Sequence, residues 1–207
     1  MKSVLEYLEN VKTNNLVIDK NGSITYQELL VYAKRIGSGL GKFVKNNDPV
    51  PVYMEKGIEA LEVFMGALYA GGFYSLLNVE LPKMRLEQII GVLDVNYIIT
   101  DNEHLEVAKE FFPDKKLILY EDLIKEEIDE ELLSNIRRKK VDLDPVYANF
   151  TSGSTGVPKG VIVGNRSIID FVDNFVDTFG IDSTDVIANQ APFDFDVSVK
   201  DIYPALK

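Results

Sequence analysis

The sequence predicts an α/β layered fold, an α/β/α arrangement with helices packed on a mostly parallel sheet. Three observations carry that expectation. Short apolar strand-like runs alternate with amphipathic helical stretches along the chain. Hydrophobic residues make up 46% of the 207 residues, enough to build a sizeable core. No internal repeat and no low-complexity linker interrupts the rhythm.

The elements follow in order. Val4, Leu5, Leu8 and Val11 recur at helical spacing. Residues 16–19, LVID, and the following KNGSITY read as a hairpin turning at Asn21-Gly22. Thr25 and Glu28 have capping-box spacing, and Leu29, Leu30, Ala33, Ile36 and Leu40 continue an amphipathic helix. VPVYM at 50–54 is a strand. A helix over 58–70 stops at Gly71-Gly72, and FYSLL follows as the next strand. Residues 86–93 and 104–112 read as helices, YIIT and KLILY as strands, and 121–140 as one charged helix. VYANF and GVIVG are strands, and 167–179 is a helix with Ile168, Ile169, Val172, Phe175 and Val176 facing inward.

Composition excludes several classes of function. The net charge of -11 argues against nucleic-acid or anionic-membrane binding, which reward a basic face. The basic run RRKK at 137–140 closes an acidic helical stretch and reads as a solvated helix terminus. With no cysteine, there is no disulfide framework, no thiolate metal site and no thiol catalysis, which fits a reducing cytoplasm, the expected location. Glu6 and Glu9 inside the first apolar stretch argue against a signal peptide. Residues 61–79 are the most membrane-like run. Glu62 sits within it and Gly71-Gly72 breaks it, so a buried helix followed by a buried strand is the expectation, with no integral membrane segment.

The stretch that carries chemistry is TSGSTGVPKG, Thr151 to Gly160. Gly153, Gly156 and Gly160 let main-chain N–H groups approach a ligand closely. Thr151, Ser152, Ser154 and Thr155 add hydroxyls, and Lys159 adds a point charge with three donors. Pro158 stiffens the turn before Lys159. Flanked by two strand-like runs, the stretch suits an anion. It differs from the Walker sequence, because Gly160 follows Lys159 and no helix starts there. On residue types alone, a phosphate cradle and a plain glycine-rich turn stand about equal, and a flexible linker stands below both.

FTSGSTGVPKGV, Phe150 to Val161, resembles the signature phosphate loop of the adenylate-forming superfamily. Other family markers follow in order. ITYQEL resembles the first adenylation motif. ALYAGGFYSLLNVELPKMRLEQII resembles the second, with Gly71, Gly72, Pro82 and Arg85 at recurring positions. Asn78-Val79 replaces the family's usual Asp-Pro pair. The resemblance implies that Thr151, Ser152, Gly153, Ser154, Thr155, Gly156 and Lys159 bind the ATP phosphates. Mg2+ would enter with ATP, its ligand residue lying outside this chain.

Phe195-Asp196-Val197-Ser198 resembles the substrate-pocket motif of amino-acid-activating members. Asp196 matches the carboxylate that pairs with the substrate's α-ammonium group, a strong charge-assisted contact. As an alternative, Asp196 or Asp194 caps a helix running from Val197 to Leu206. NQAPFDFDVSVKDIYP is most similar to the D-alanine–carrier protein ligase branch, with peptide-synthetase adenylation domains as the alternative. The implied partners are an amino acid and a phosphopantetheinylated carrier protein. The α-ammonium contact cannot itself separate alanine from other amino acids, or D from L.

The resemblance covers residues 1–207 as the N-terminal part of an adenylation domain within an enzyme of roughly 500 residues. The family's later adenine, ribose and catalytic-lysine segments are not among these residues, so no catalytic residue is expected here and the chain alone should not complete the reaction. A non-catalytic binding module with an inherited phosphate loop is the reading of a different class. His104 reads as a surface or capping residue, and the spacing of Asp194, Asp196 and Asp201 matches no calcium loop. Tyr53, Tyr69, Phe73 and Tyr74 read as core aromatics.

Overall fold

The computed structural model describes residues 3–11, 14–151 and 158–207. Helix α1 (Leu5–Asn10) leads into a hairpin of β1 (Leu16–Ile18) and β2 (Ser23–Thr25). Asp19 Oδ1 accepts from the N–H groups of Asn21 and Gly22 and so shapes the hairpin turn. Helix α2 (Tyr26–Leu40) opens on the expected capping box: Thr25 takes the Glu28 N–H, and Glu28 takes the Thr25 N–H.

A six-stranded sheet follows, built from β3 (Pro49–Tyr53), β4 (Phe73–Leu76), β5 (Tyr97–Thr100), β6 (Lys116–Leu119), β7 (Pro145–Thr151) and β8 (Lys159–Gly164). The strand order is β6-β5-β3-β4-β7-β8. All neighbours pair parallel except β7 and β8, which form an antiparallel edge hairpin. Parallel strands need crossovers, and helices α3 (Ile58–Tyr69), α4 (Lys83–Leu93) and α5 (Leu105–Phe111) supply them.

Two apolar clusters flank the sheet. The larger joins α1, α2 and α3 to residues of β3, β4 and β7. The smaller joins α4 and α5 to Tyr53, Leu77 and Ile98. Helix α3 and β4 are buried almost throughout, so the 61–79 run is core, as expected. Gly71, at φ +87, makes the turn between them. Glu62 lies within α3 at 2% exposure and accepts a 2.6 Å bond from the Tyr120 hydroxyl. Tyr53, Tyr69, Phe73 and Tyr74 are all buried. Among the described residues, no helix is long and apolar enough to cross a membrane.

The predicted single helix over 121–140 is instead two: α6 (Tyr120–Leu123) and α7 (Glu130–Lys139). Tertiary contacts break it. Ser38 Oγ on α2 takes the Asp129 N–H at 2.9 Å, and Asp129 then caps α7 by accepting from the Leu132 N–H. The 137–140 run is also less solvated than expected. Arg137 reaches Glu9, and the Lys140 side chain is 7% exposed, pairs with Asp144 and donates to the Gly71 carbonyl. Lys140 therefore ties the helix end to the core, while Arg137 ties it to α1 at the surface.

Helix α8 (Asn165–Phe179) starts where β8 ends and buries Ile168, Ile169 and Val172. A 3-10 turn at Asp196–Ser198 runs into α9 (Val199–Leu206). Tyr203 of α9 is fully buried and its hydroxyl lies 3.0 Å from that of Tyr74.

Candidate functional site

In open α/β sheets, ligands bind beyond the carboxyl ends of the strands. The carboxyl ends of β4 and β7 gather most of the residues singled out by the sequence. Thr151 closes β7 and pairs in register with Lys159, the first residue of β8. That pair closes the glycine-rich stretch that the sequence singled out. Ser152, Gly153, Ser154, Thr155 and Gly156 lie outside the described residues. Gly160 packs against the Phe150 ring, where a Cβ would sit 3.1 Å from the nearest ring carbon. Arg85, in the first turn of α4, donates from Nη2 to the Thr151 carbonyl at 3.0 Å.

Asn78 follows β4 directly. Its Oδ1 accepts from the Glu80 N–H, and its Nδ2 donates to Asp194 Oδ2 at 3.3 Å. The Asn78-Val79 departure therefore makes a turn and a tie to the 194–196 segment. With its amide oxygen toward Asp196, Asn149 accepts from the Asp196 N–H at 3.2 Å. Lys56 straps the preceding segment by donating to the Asn189 and Ala191 carbonyls, and its ammonium lies 5.5 Å over the Phe193 ring. Burial pulls the Lys56 pKa down from the ordinary lysine value.

Asp196 stands at a pocket of about 370 Å³ between the sheet, α8 and the start of α9. Its apolar walls include Val163, Ile168 and Phe171; Tyr147 and Lys200 add polar groups. The Asp196 side chain caps no helix: neither the 3-10 turn nor α9 has a side-chain cap bond. Among the described residues, its carboxylate has no ion-pair or hydrogen-bond partner. Burial raises the Tyr147 hydroxyl's pKa, and the nearby Asp196 carboxylate adds to the rise. A carboxylate without a partner, at the mouth of an apolar pocket, suits an incoming ammonium group.

The acidic trio does not assemble. Asp194 faces Asn78, and Asp201 is bound by Asn189 and Lys200. His104 Nδ1 lies 2.7 Å from Asp101 Oδ1, a local contact at the start of α5 without a side-chain cap bond. Tyr147 and Lys200 are site residues the sequence did not single out. The i, i+4 spacing of Asp196 and Lys200 is the signal that puts those two on one helical face.

A family model described as AMP-binding enzyme matches residues 7–207, so the chain belongs to that family. Among curated relatives, a D-alanine–D-alanyl carrier protein ligase of Lacticaseibacillus casei is 30% identical over 182 residues, covering 88% of this chain and 35% of the relative. Tyrocidine synthase 1 of Brevibacillus parabrevis is 27% identical over 191 residues, covering 92% of this chain and 17% of the relative. The chain therefore spans about a third of the ligase's length. Two solved structures share the fold. The peptide synthetase FmoA3, bound to α-methyl-L-serine-AMP, matches with a TM-score of 0.85 at 24% identity over 99% of this chain and 23% of its own. VinN in complex with 3-methylaspartate matches with a TM-score of 0.83 at 20% identity over 100% of this chain and 60% of its own.

Proposed function

We propose that residues 1–207 are the N-terminal part of an adenylation domain that activates an amino acid with ATP and transfers it to a carrier protein. The observation that carries this reading is the pairing of two features beyond β4 and β7. One is the Lys159-closed glycine-rich stretch, and the other is the unpartnered Asp196 carboxylate on its pocket. Thr151, Ser152, Gly153, Ser154, Thr155, Gly156 and Lys159 would hold the phosphates of ATP, with Mg2+ arriving on the nucleotide. Asp196 would receive the α-ammonium group and so orient the substrate carboxylate.

In the first step that carboxylate oxygen attacks the α-phosphorus, and the bond to pyrophosphate breaks. In the second, a phosphopantetheine thiolate attacks the acyl carbon and AMP leaves. Positioning and charge stabilisation supply most of the acceleration in such transfers. The contribution of this chain is to cradle phosphate and hold the ammonium. The reaction would take place in the cytoplasm, where ATP is available.

D-Alanine is the proposed substrate, supported by the motif around Asp196 and by the D-alanine–carrier protein ligase relative. Activation of another amino acid by a peptide-synthetase domain is the second reading, supported by the likeness to tyrocidine synthase 1. ATP–pyrophosphate exchange by the polypeptide carrying this chain, run across amino acids, separates them. D-Alanine should give the fastest exchange and then load a phosphopantetheinylated carrier protein. A different preferred amino acid favours the second reading. No exchange with any amino acid leaves a binding module and sinks both.

A further inference from the structure

A second cavity, of about 200 Å³, shares no lining residue with the Asp196 pocket. It lies between β1, the start of α3, residues 187–193 and α9. Val17, Ile58, Leu61, Phe193, Ile202 and Leu206 make its walls apolar. Leu16 and Ile18 also line it, and at 48% and 70% exposure they mark its open side.

The polar groups around the cavity are nearly all answered by protein. Asp19 takes the N–H groups of Asn21, Gly22 and Ile58. The Tyr26 hydroxyl donates to the Ala205 carbonyl. Asp201 takes Asn189 Nδ2 on one oxygen and Lys200 Nζ on the other. The exception is Asn189 Oδ1, a buried atom without a hydrogen-bond partner among the described residues. Lys56 stands at the same residue. Its ammonium donates to the Asn189 and Ala191 carbonyls, which uses two of its three N–H groups. One acceptor and one donor thus stay open on an otherwise apolar cavity.

Leaving a buried acceptor unpaired is costly, and a lone water needs several polar partners that apolar walls do not offer. An apolar cavity of about 150 Å³ already holds a benzene ring. The occupant that fits has an apolar body about the size of one ring. Its polar end must donate to Asn189 Oδ1 and accept from Lys56, and a hydroxyl does both. The Lys56 ammonium opposes a cation. Asn189 Oδ1 and the Asp19 and Asp201 carboxylates oppose an anion.

We propose that this cavity binds a small neutral alcohol or phenol, with Asn189 and Lys56 reading its hydroxyl. The site is separate from the Asp196 pocket and does not depend on the reaction proposed for it.

The test is titration of phenol, and of toluene as a match in size without a donor, into the 207-residue chain. Binding is followed by NMR, with thermal unfolding of each variant alongside. Both molecules should bind the wild type saturably. Ala205→Leu fills the cavity from a half-buried position on α9 and should abolish binding of both. Asn189→Leu removes the open acceptor and should raise the phenol-to-toluene ratio of dissociation constants about tenfold. Where Asn189→Leu does not fold, Asn189→Ala gives the same ratio, because toluene corrects for the change in volume. Phenol binding that does not saturate, or that survives Ala205→Leu, would overturn the site. A ratio unchanged by removing the Asn189 amide would overturn the hydroxyl as the group the site reads.

Discussion

The α2–α3 interior and the rim beyond β7 use polar groups in opposite ways. In the interior, buried polar groups are mostly answered by protein. Glu62 takes the Tyr120 hydroxyl, Ser38 links the Lys34 carbonyl to the Asp129 N–H, and Thr100 donates to the Tyr53 carbonyl. Ser75 Oγ is a buried atom without such a partner. At the rim, the charges of Lys159 and Asp196 have no partner among the described residues. Desolvating an unpaired polar group is costly, so the interior leaves few of its groups open. The solvated rim can, and groups left open there are the ones available to a ligand.

The largest expected effect tests the interior. Phe64 is fully buried and stacks on Tyr74 with ring centroids 4.1 Å apart. Phe64→Ala should cost about 3–5 kcal/mol in chemical denaturation, through lost burial and the cavity left behind. A loss below about 1 kcal/mol would show the interior to be far looser than its packing implies.

The next effect is pH-dependent. Burial raises the Glu62 carboxyl to about 7, partly offset by the Tyr120 hydrogen bond. The folded state therefore binds this proton more tightly than the unfolded state. Stability from this group is present below the unfolded carboxyl pKa and declines as pH rises toward the folded value of about 7. The decline should total about 3 kcal/mol. Glu62→Gln, measured by denaturation from pH 4 to 8, should flatten that slope; an unchanged slope would assign it to other groups.

A smaller effect tests the helix break. Asp129→Ala removes the cap on α7 and should cost about 1 kcal/mol in the same denaturation measurement. No loss would mean that the Ser38 tether alone starts the helix.

The same contrast explains how far the sequence could be read. The capping box at Thr25 and Glu28 and the stop at Gly71 are local chemistry, so their residues name them directly. The gap between α6 and α7 depends on Ser38, far away in the chain, and no periodicity in a charged stretch reveals it. Lys140 looked solvated because its burial comes from Asp144, Asn47 and Gly71, contacts made only on folding. At the site, residue types alone left the 151–160 stretch balanced between a phosphate cradle and a plain turn, because glycine, serine and proline serve both; the resemblance supplied the expectation for that stretch and for Asp196. Tyr147 was not legible, because a strand tyrosine beside a pocket looks like any core aromatic.

The central claim is that Asp196 serves a ligand and not the fold. It is tested most directly by Asp196→Asn in the polypeptide carrying this chain, with thermal unfolding and amino-acid-dependent ATP–pyrophosphate exchange measured side by side. An exposed group without a partner should shift stability by no more than about 0.5 kcal/mol, while the KM for the amino acid rises at least tenfold and the KM for ATP stays near wild type. Unchanged amino-acid KM, or an unfolding midpoint that falls in step with activity, would contradict the account.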